Sequence, residues 1–241
     1  MFSAKPKQKS LLLIINLEEG TQPSVDPIYS LLISKQEAFK EFIEENLNMG
    51  FIQPTSSLYS TLVLFVKKKD SSLHLYINFC SLNCISKKDY YLLLLISDLL
   101  DSPRKARVNS KIDLCHVYHL VHIADSNEWK TAFRIHYELF KWSIIPFGLT
   151  NAPMTFQQFM NDTFSNLLDV CVMIYLDDIL IYSNNMSEHH WHIKEVLKCL
   201  HKTNLYAKAE KYEFHSEPVK YLGYILSPSG LAISNNKVKI I

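Results

Sequence analysis

The feature that most constrains this chain is a pair of adjacent carboxylates, Asp177 and Asp178, set between two short apolar runs. The runs, residues 170–174 and 179–182, are rich in β-branched and aromatic side chains and predict two short buried strands. Both acids then fall at the connecting turn, where adjacent side chains can project the same way. Two carboxylates held together there repel each other unless a cation lies between them. The pattern predicts either a divalent metal site or a plain turn, in which Asp is a favoured residue.

Length, composition and net charge limit the class of protein and the partners it can bind. The 241 residues can form one large core or two modest lobes, and 48% hydrophobic with 20% charged residues is a globular composition. The formal net charge of +1 gives no overall basic field for nucleic acid. Binding to nucleic acid would therefore need local basic patches, at residues 67–69, 87–88 and 104–107, and such runs are often only solvated loops.

Cysteine usage and apolar run length bear on the compartment. The five cysteines are odd in number and form no CxxC pair, which predicts reduced thiols in an intracellular protein, cytoplasmic or nuclear. No signal peptide is visible, and the longest apolar runs, residues 11–15 and 90–96, are far shorter than the roughly 20 residues of a membrane span. No contact with a membrane is expected.

Local patterns predict a mixture of helices and hairpins. Residues 34–37 form a capping box that opens a helix with Phe39, Ile43 and Leu47 in its apolar stripe, and residues 61–67 and 73–79 predict a strand pair. A short strand ends at Asp113, a long helix follows Pro153, and Ser187 is the predicted cap of another helix with Val196, Leu197 and Leu200 turned inward. This mixture predicts an α+β fold. The order of elements would bring Asp113 beside the turn of Asp177 and Asp178.

Five motifs occur in order along the chain, and together they carry a resemblance. They are Lys111-Ile112-Asp113-Leu114, Trp129-Lys130-Thr131-Ala132-Phe133, Pro146-Phe147-Gly148-Leu149-Thr150-Asn151-Ala152-Pro153, Tyr175-Leu176-Asp177-Asp178-Ile179-Leu180 and Leu222-Gly223-Tyr224. The chain resembles the reverse transcriptase domain of gypsy-type LTR retrotransposons, which is similar to the retroviral enzyme. The match runs from about Asn16 to the last residue.

The resemblance implies an architecture. A right-hand polymerase palm of ferredoxin-like topology is expected, with a fingers subdomain and a thumb that is incomplete or absent. Residues 1–88 and 121–154 would form the fingers. Residues 89–120 and 155–241 would form the palm with a primer-holding hairpin.

The resemblance also implies a chemistry. An RNA-directed DNA polymerase transfers a nucleotide to a primer 3′-hydroxyl, with two Mg²⁺ ions about 4 Å apart, for which Mn²⁺ can substitute. The partners would be an RNA or DNA template with its primer and deoxynucleoside triphosphates. The catalytic residues and metal ligands carried over from the family are Asp113, Asp177 and Asp178.

Further site residues follow from the same resemblance. Tyr118 would lie beneath the sugar and exclude a ribose 2′-hydroxyl, although an ordinary core tyrosine is the alternative. The nucleotide-binding residues would be Lys68, His74, Tyr118, Phe147 and Gly148, and the primer-holding residues Leu222, Gly223 and Tyr224.

Several positions depart from the family pattern. His74 stands where the family usually has arginine, Val117 where it has alanine, Glu138 where it has glycine and Lys141 where it has glutamate. The changes from Arg, Gly and Glu can each arise by one C-to-T or G-to-A transition. This favours the hypothesis of a decaying copy. The alternative function is then a catalytically dead relic that at most binds nucleic acid. A zinc site among the histidines of residues 189–201 is a weaker alternative, because the spacing fits no standard pattern.

Overall fold

The computed structural model describes residues 12–25, 36–67, 73–89, 103, 106–114, 117–135, 138–207, 213–216, 218–227 and 230–233. The chain divides into two compact units. The first comprises Met1–Tyr90 with Tyr118–Thr155, and the second comprises Tyr91–Val117 with Phe156–Ile241. Lys68 and the predicted capping residue Ser34 lie outside the described residues.

The α-helices of the described ranges are, in chain order, α1 Gln36–Asn48, α2 Cys80–Ile85, α3 Ala152–Thr163 and α4 Met186–Lys202. The cap of α4 differs from the prediction. Asn185 is extended, and its side chain accepts a 2.9 Å hydrogen bond from the backbone N–H of Glu188, so it caps the helix two residues before Ser187. None of these helices has the length and apolarity to cross a membrane.

The strands complete an α+β fold, as predicted. They are β1 Leu12–Leu13, β2 Ile52–Pro54, β3 Val63–Lys67, β4 Leu73–Ile77, β5 Val108–Asp113, β6 His122–Ile123, β7 Phe133–Ile135, β8 Glu138–Trp142, β9 Val172–Tyr175, β10 Asp178–Ser183, β11 Glu213–Ser216, β12 Val219–Tyr221, β13 Tyr224–Ser227 and β14 Gly230–Ile233.

The first unit is built from small sheets around an aromatic core. β2, β8 and β7 form an antiparallel sheet, β3 pairs with β4, and β1 runs parallel to β6. Phe133 is fully buried between Phe140 and Trp142, with ring centroids about 6 Å apart. Helix α1 buries Phe39 and Ile43, but Leu47 is 37% exposed, so the predicted stripe is one residue too long.

The second unit contains a four-stranded antiparallel sheet in the order β11, β5, β10, β9. β9 and β10 read as nearly continuous apolar runs because residues of both strand faces are buried; Ile179, Leu180 and Ile181 are fully so. β9 begins at Val172, whereas Val170 is 68% exposed and lies in the preceding turn, which corrects the predicted strand start.

Helix α4 packs on β10 and β5. Val196 and Leu200, four residues apart, are buried on its inner face. Leu197 is 41% exposed, contrary to the prediction, because the next residue along a helix is rotated by about 100° from Val196. A second, three-stranded sheet of β12, β13 and β14 follows in the same unit.

Candidate active site

The two adjacent acids lie at a tight turn between β9 and β10. Tyr175 and Asp178 face each other as the last pair of the ladder, which leaves Leu176 and Asp177 as a two-residue loop. Leu176 has φ +53°, and a positive φ at the first loop position is the pattern of a type II′ turn, where glycine is usual. A leucine in this conformation is strained by about 1–2 kcal/mol, so other contacts must hold the turn.

The third acid lies on the neighbouring strand. Asp113 is the residue directly opposite Asp178 across the β5–β10 ladder, and side chains in such a pair share one face about 5 Å apart. The backbone N–H of Leu114 donates a 3.0 Å hydrogen bond to the carbonyl of Asp177. The sheet therefore brings Asp113, Asp177 and Asp178 to the same edge from positions more than sixty residues apart.

Gln157 of α3 supports the turn of Leu176 and Asp177 between β9 and β10, called the acid turn below. Its Oε1 accepts a 2.7 Å hydrogen bond from the backbone N–H of Leu176, and its Nε2 donates to the carbonyl of Ile174 at 3.1 Å and to Asn161 at 2.9 Å. Gln157 is only 5% exposed, so these bonds replace water for buried polar groups. A single side chain thus fixes the backbone on both sides of Tyr175.

Asp178 forms an ion pair with Lys111 at 2.8 Å. Lys111 lies two residues before Asp113 in β5 and so on the same face, diagonal to Asp178, within reach of a long side chain. Both side chains are about a quarter exposed, so the pair is only partly screened by water.

A metal at this edge would find suitable donors. Carboxylate oxygens are the ligands that Mg²⁺ prefers in proteins, and three of them lie at the ends of neighbouring strands. Across the ranges the structure describes, however, no three His, Cys, Asp or Glu side chains converge as they stand to hold an ion. The backbone arrangement fits a metal site, whereas the Asp178 carboxylate is turned to Lys111.

The residues predicted for nucleotide binding lie in the first unit. Of His74 and Tyr118 the structure describes the backbone: His74 lies in β4 opposite Val66, and Tyr118 lies in a 3₁₀ helix, Val117–Leu120. Phe147 is 66% exposed, and Gly148 adopts φ +99°, a conformation in which only glycine is unstrained.

The Phe147–Gly148 loop is held by hydrogen bonds from an asparagine that no sequence pattern indicated. Asn83 of α2 donates from Nδ2 to the carbonyl of Gly148 at 2.7 Å, and its Oδ1 accepts from the N–H of Thr150 at 2.9 Å. No pattern within the chain singles out Asn83 or Gln157, because each acts on backbone far away in sequence.

The predicted primer-holding residues form the turn between β12 and β13. Tyr221 pairs with Tyr224, and the two loop residues, Leu222 at φ +49° and Gly223 at φ +80°, both have positive φ, as in a type I′ turn. The Tyr221 ring is fully buried, and its hydroxyl donates a 3.1 Å hydrogen bond to the carbonyl of Asp178. Burial, followed by the nearby Asp178 charge, raises the pKa of Tyr221 well above its usual value.

Two histidines of α4, His189 and His192, bond to serine hydroxyls of the neighbouring strands. His189 is fully buried, with Nε2 2.8 Å from the Ser110 hydroxyl and Nδ1 2.8 Å from the Ser183 hydroxyl, and His192 Nδ1 is 2.7 Å from the same Ser183 oxygen. Burial lowers the pKa of His192, opposed by the charge of Glu188. Zinc finds no cluster of ligands among these residues or elsewhere in the described ranges.

Two departures from the family pattern are accommodated locally. Lys141 forms a 2.5 Å ion pair with Glu128, whose side chain is 9% exposed. Glu138 opens β8 opposite Ile135 and is not among the residues with positive φ, so the hairpin forms without a glycine there.

Comparisons with known proteins identify the family to which the chain is similar. Residues 66–226 match the family model described as reverse transcriptase (RNA-dependent DNA polymerase). The Tf2-3 and Tf2-7 transposon polyproteins of Schizosaccharomyces pombe are each 35% identical over 202 residues, 84% of this chain and 15% of the relative.

Solved structures show the same fold at lower identity. A foamy viral protease-reverse transcriptase in complex with an RNA/DNA hybrid superposes with a TM-score of 0.81 at 22% identity, covering 94% of this chain and 31% of that one. The same kind of protein in complex with double-stranded DNA gives 0.80 at 21% identity, covering 95% and 41%.

The fold is that of a polymerase with palm and fingers, as predicted. The chain belongs to the reverse transcriptase (RNA-dependent DNA polymerase) family. Its Tf2 relatives are transposon polyproteins, which confirms the resemblance to gypsy-type LTR retrotransposons. The chain spans about 15% of the length of these relatives.

Proposed function

We propose that this chain is the RNA-directed DNA polymerase module of a retrotransposon, and that Asp113, Asp177 and Asp178 hold two Mg²⁺ ions, or Mn²⁺ in their place. The observation that carries the proposal is the register of the sheet. Asp113 faces Asp178, and Leu114 is bonded to the carbonyl of Asp177. Bound metal would activate the primer 3′-hydroxyl and neutralise charge on the phosphates.

The chain's own residues then orient the reactants. Lys68 and His74 contact the triphosphate, Phe147 and Gly148 form the floor of the nucleotide pocket, and Tyr118 packs beneath the sugar. Support for the floor comes from the exposed Phe147 ring and from the Asn83 hydrogen bonds that fix the loop backbone. Positioning of this kind, together with charge neutralisation, supplies most of the catalysis in phosphoryl transfer.

Template and primer are the proposed macromolecular partners, and deoxynucleoside triphosphates the substrates. Two of the similar structures are complexes with an RNA/DNA hybrid and with double-stranded DNA, which supports nucleic acid as the partner here. Leu222, Gly223 and Tyr224 hold the primer end. The fingers comprise residues 1–88 and 121–154, and the palm comprises residues 89–120 and 155–241.

Lys111 competes with metal for Asp178. The ion pair at 2.8 Å neutralises one carboxylate, so loading of the site requires Asp178 to exchange the ammonium for a divalent cation. The greater charge of a divalent ion favours this exchange, while Asp113 and Asp177 provide the remaining oxygen donors.

The same ion pair also favours a second candidate, a relic that binds nucleic acid without catalysis. In the ranges described, three ligands do not converge, and His74 cannot offer the always-charged fork of the arginine that the family uses. A chain of this kind would keep its fold and lose its chemistry.

Primer extension on an RNA template separates the candidates. The purified protein is assayed with Mg²⁺ and with Mn²⁺, beside Asp113→Asn, Asp177→Asn and the control Asp162→Asn, an exposed aspartate on α3. Extension that survives Asp162→Asn and is lost in both other variants supports the polymerase. A folded wild-type protein that extends no primer, even after His74→Arg with Val117→Ala, supports the relic.

A further inference from the structure

The primer-holding turn, Leu222 and Gly223 between β12 and β13, begins at a residue that is buried against the strands of the acid turn. Tyr221, the last residue of β12, is fully buried in a cluster to which β9 and β10 contribute Met173, Leu180 and Tyr182. Leu222 and Tyr224, on either side of Gly223, pack against the same cluster. The turn between β12 and β13 therefore rests on the strands that carry Asp177 and Asp178, through one shared core.

Within this core a polar contact reaches the acid turn itself. The Tyr221 hydroxyl donates a 3.1 Å hydrogen bond to the carbonyl of Asp178. Tyr175 and Asp178 are the two residues that close the acid turn. One hydroxyl thus bonds directly to the residue that ends the loop formed by Leu176 and Asp177.

Both turns need support of this kind. Leu176 and Leu222 are non-glycine residues with positive φ, +53° and +49°, and each is strained unless its surroundings determine it. Apolar packing is non-directional and allows small sliding motions, whereas a hydrogen bond fixes a distance and an angle. The Tyr221 hydroxyl is therefore suited to set the spacing between the two turns.

We propose that Tyr221 is a positioning residue that couples the primer-holding turn to the acid turn through its hydroxyl. The inference rests on the proposed function, in which one turn holds the primer end and the other holds the metal ligands. A phenylalanine at position 221 would keep the ring in the core and release the link. The two turns would then move independently, and the primer 3′-hydroxyl would spend less time in line with the nucleotide.

The direct test needs no catalysis. Amide hydrogen exchange is compared in the wild type, in Tyr221→Phe and in Tyr182→Phe, which removes a hydroxyl from another buried tyrosine of the same cluster. The Leu114 amide, bonded to the Asp177 carbonyl, reports on the acid turn, and the Tyr224 amide reports on the primer-holding turn. Coupling predicts that Tyr221→Phe speeds exchange about tenfold at both amides, the factor expected from the loss of one net hydrogen bond. Tyr182→Phe should not speed exchange at both amides.

Kinetics provide the second arm. In Tyr221→Phe, we expect kcat for primer extension to fall about tenfold, while KM for the nucleotide and the affinity for Mn²⁺ stay within about twofold of wild type. Unchanged exchange of the Leu114 amide in Tyr221→Phe would overturn the inference. A wild type without extension would remove the proposed function, and the exchange comparison would still decide the coupling.

Discussion

The side-chain oxygen of Gln157 accepts a 2.7 Å hydrogen bond from the backbone N–H of Leu176, the strained residue of the acid turn. The amide nitrogen of the same side chain donates to the carbonyl of Ile174. Gln157 is nearly fully buried, so neither backbone group could turn to water if the side chain were lost. The position of Asp177 therefore depends on a residue twenty positions earlier in the chain.

Replacing Gln157 should destabilise the protein and disturb the acid turn. Gln157→Leu leaves the Leu176 N–H and the Ile174 carbonyl without partners, and we expect the free energy of unfolding to fall by about 1–3 kcal/mol. Urea denaturation measures this loss. Gln158→Leu, at the exposed neighbouring position, is the control and should change stability by less than about 0.5 kcal/mol. Equal effects of the two variants would contradict a specific role for Gln157.

Replacing Gly148 should cost stability through backbone strain. Gly148→Ala puts an alanine at φ +99°, which we expect to cost about 1–2 kcal/mol of unfolding free energy. Its Cβ would lie 3.5 Å from the Tyr76 hydroxyl, an ordinary contact, so backbone strain dominates.

Gly50→Ala is the matched variant, at φ +72° with open space around the Cβ. Both variants should lose similar stability by thermal unfolding. Only Gly148→Ala should raise KM for the nucleotide, because only that loop is the proposed pocket floor. A similar rise in KM for Gly50→Ala would argue against that role.

Restoring the family residue at position 141 should be harmful here. Lys141→Glu would place a carboxylate beside the nearly buried Glu128, and we expect a loss of about 3 kcal/mol because a buried charge loses its partner. Lys141→Gln, which can still donate a hydrogen bond, should lose less. Chemical denaturation of the three proteins decides the order, and a Lys141→Glu variant as stable as wild type would show that the pair contributes nothing.

Acid should weaken the protein through His192. Burial lowers the pKa of His192 in the folded state, so between that value and about 6.5 the unfolded chain binds more protons. The contribution of this group is therefore present above about pH 6.5 and is lost as the pH falls below it.

Thermal unfolding between pH 5 and 8 measures this dependence. His192→Asn, which keeps an acceptor near Ser183, should flatten the pH dependence. His201→Asn, at an exposed position of the same helix, is the control and should not. An unchanged profile in His192→Asn would assign the acid sensitivity to other groups.

Local patterns predicted elements well and their edges less well. The apolar runs around Asp177 and Asp178 predicted two strands joined at the acids, which the structure contains as β9 and β10. The start at Val170 was wrong by two residues, and Ser187 was wrong as the cap, since Asn185 is also a good cap and lies in the extended conformation. Neighbouring candidates differ by little in local energy, so tertiary contacts choose among them.

Five ordered motifs were enough to indicate the family, and apolar periodicity and turn chemistry were enough to predict the α+β class and the turn that carries Asp177 and Asp178. The order of elements also predicted that Asp113 would lie beside that turn, but the packed fold was needed to set the register in which Asp113 faces Asp178. The packed fold was likewise needed to show that Lys111 engages Asp178, and that Gln157, Asn83 and Tyr221 hold the two turns and the glycine loop. These contacts join residues tens of positions apart, and an amide or a hydroxyl carries no local mark of the backbone it will bind. Only when the sheet and helices pack are such groups cut off from water and made to find partners within the fold.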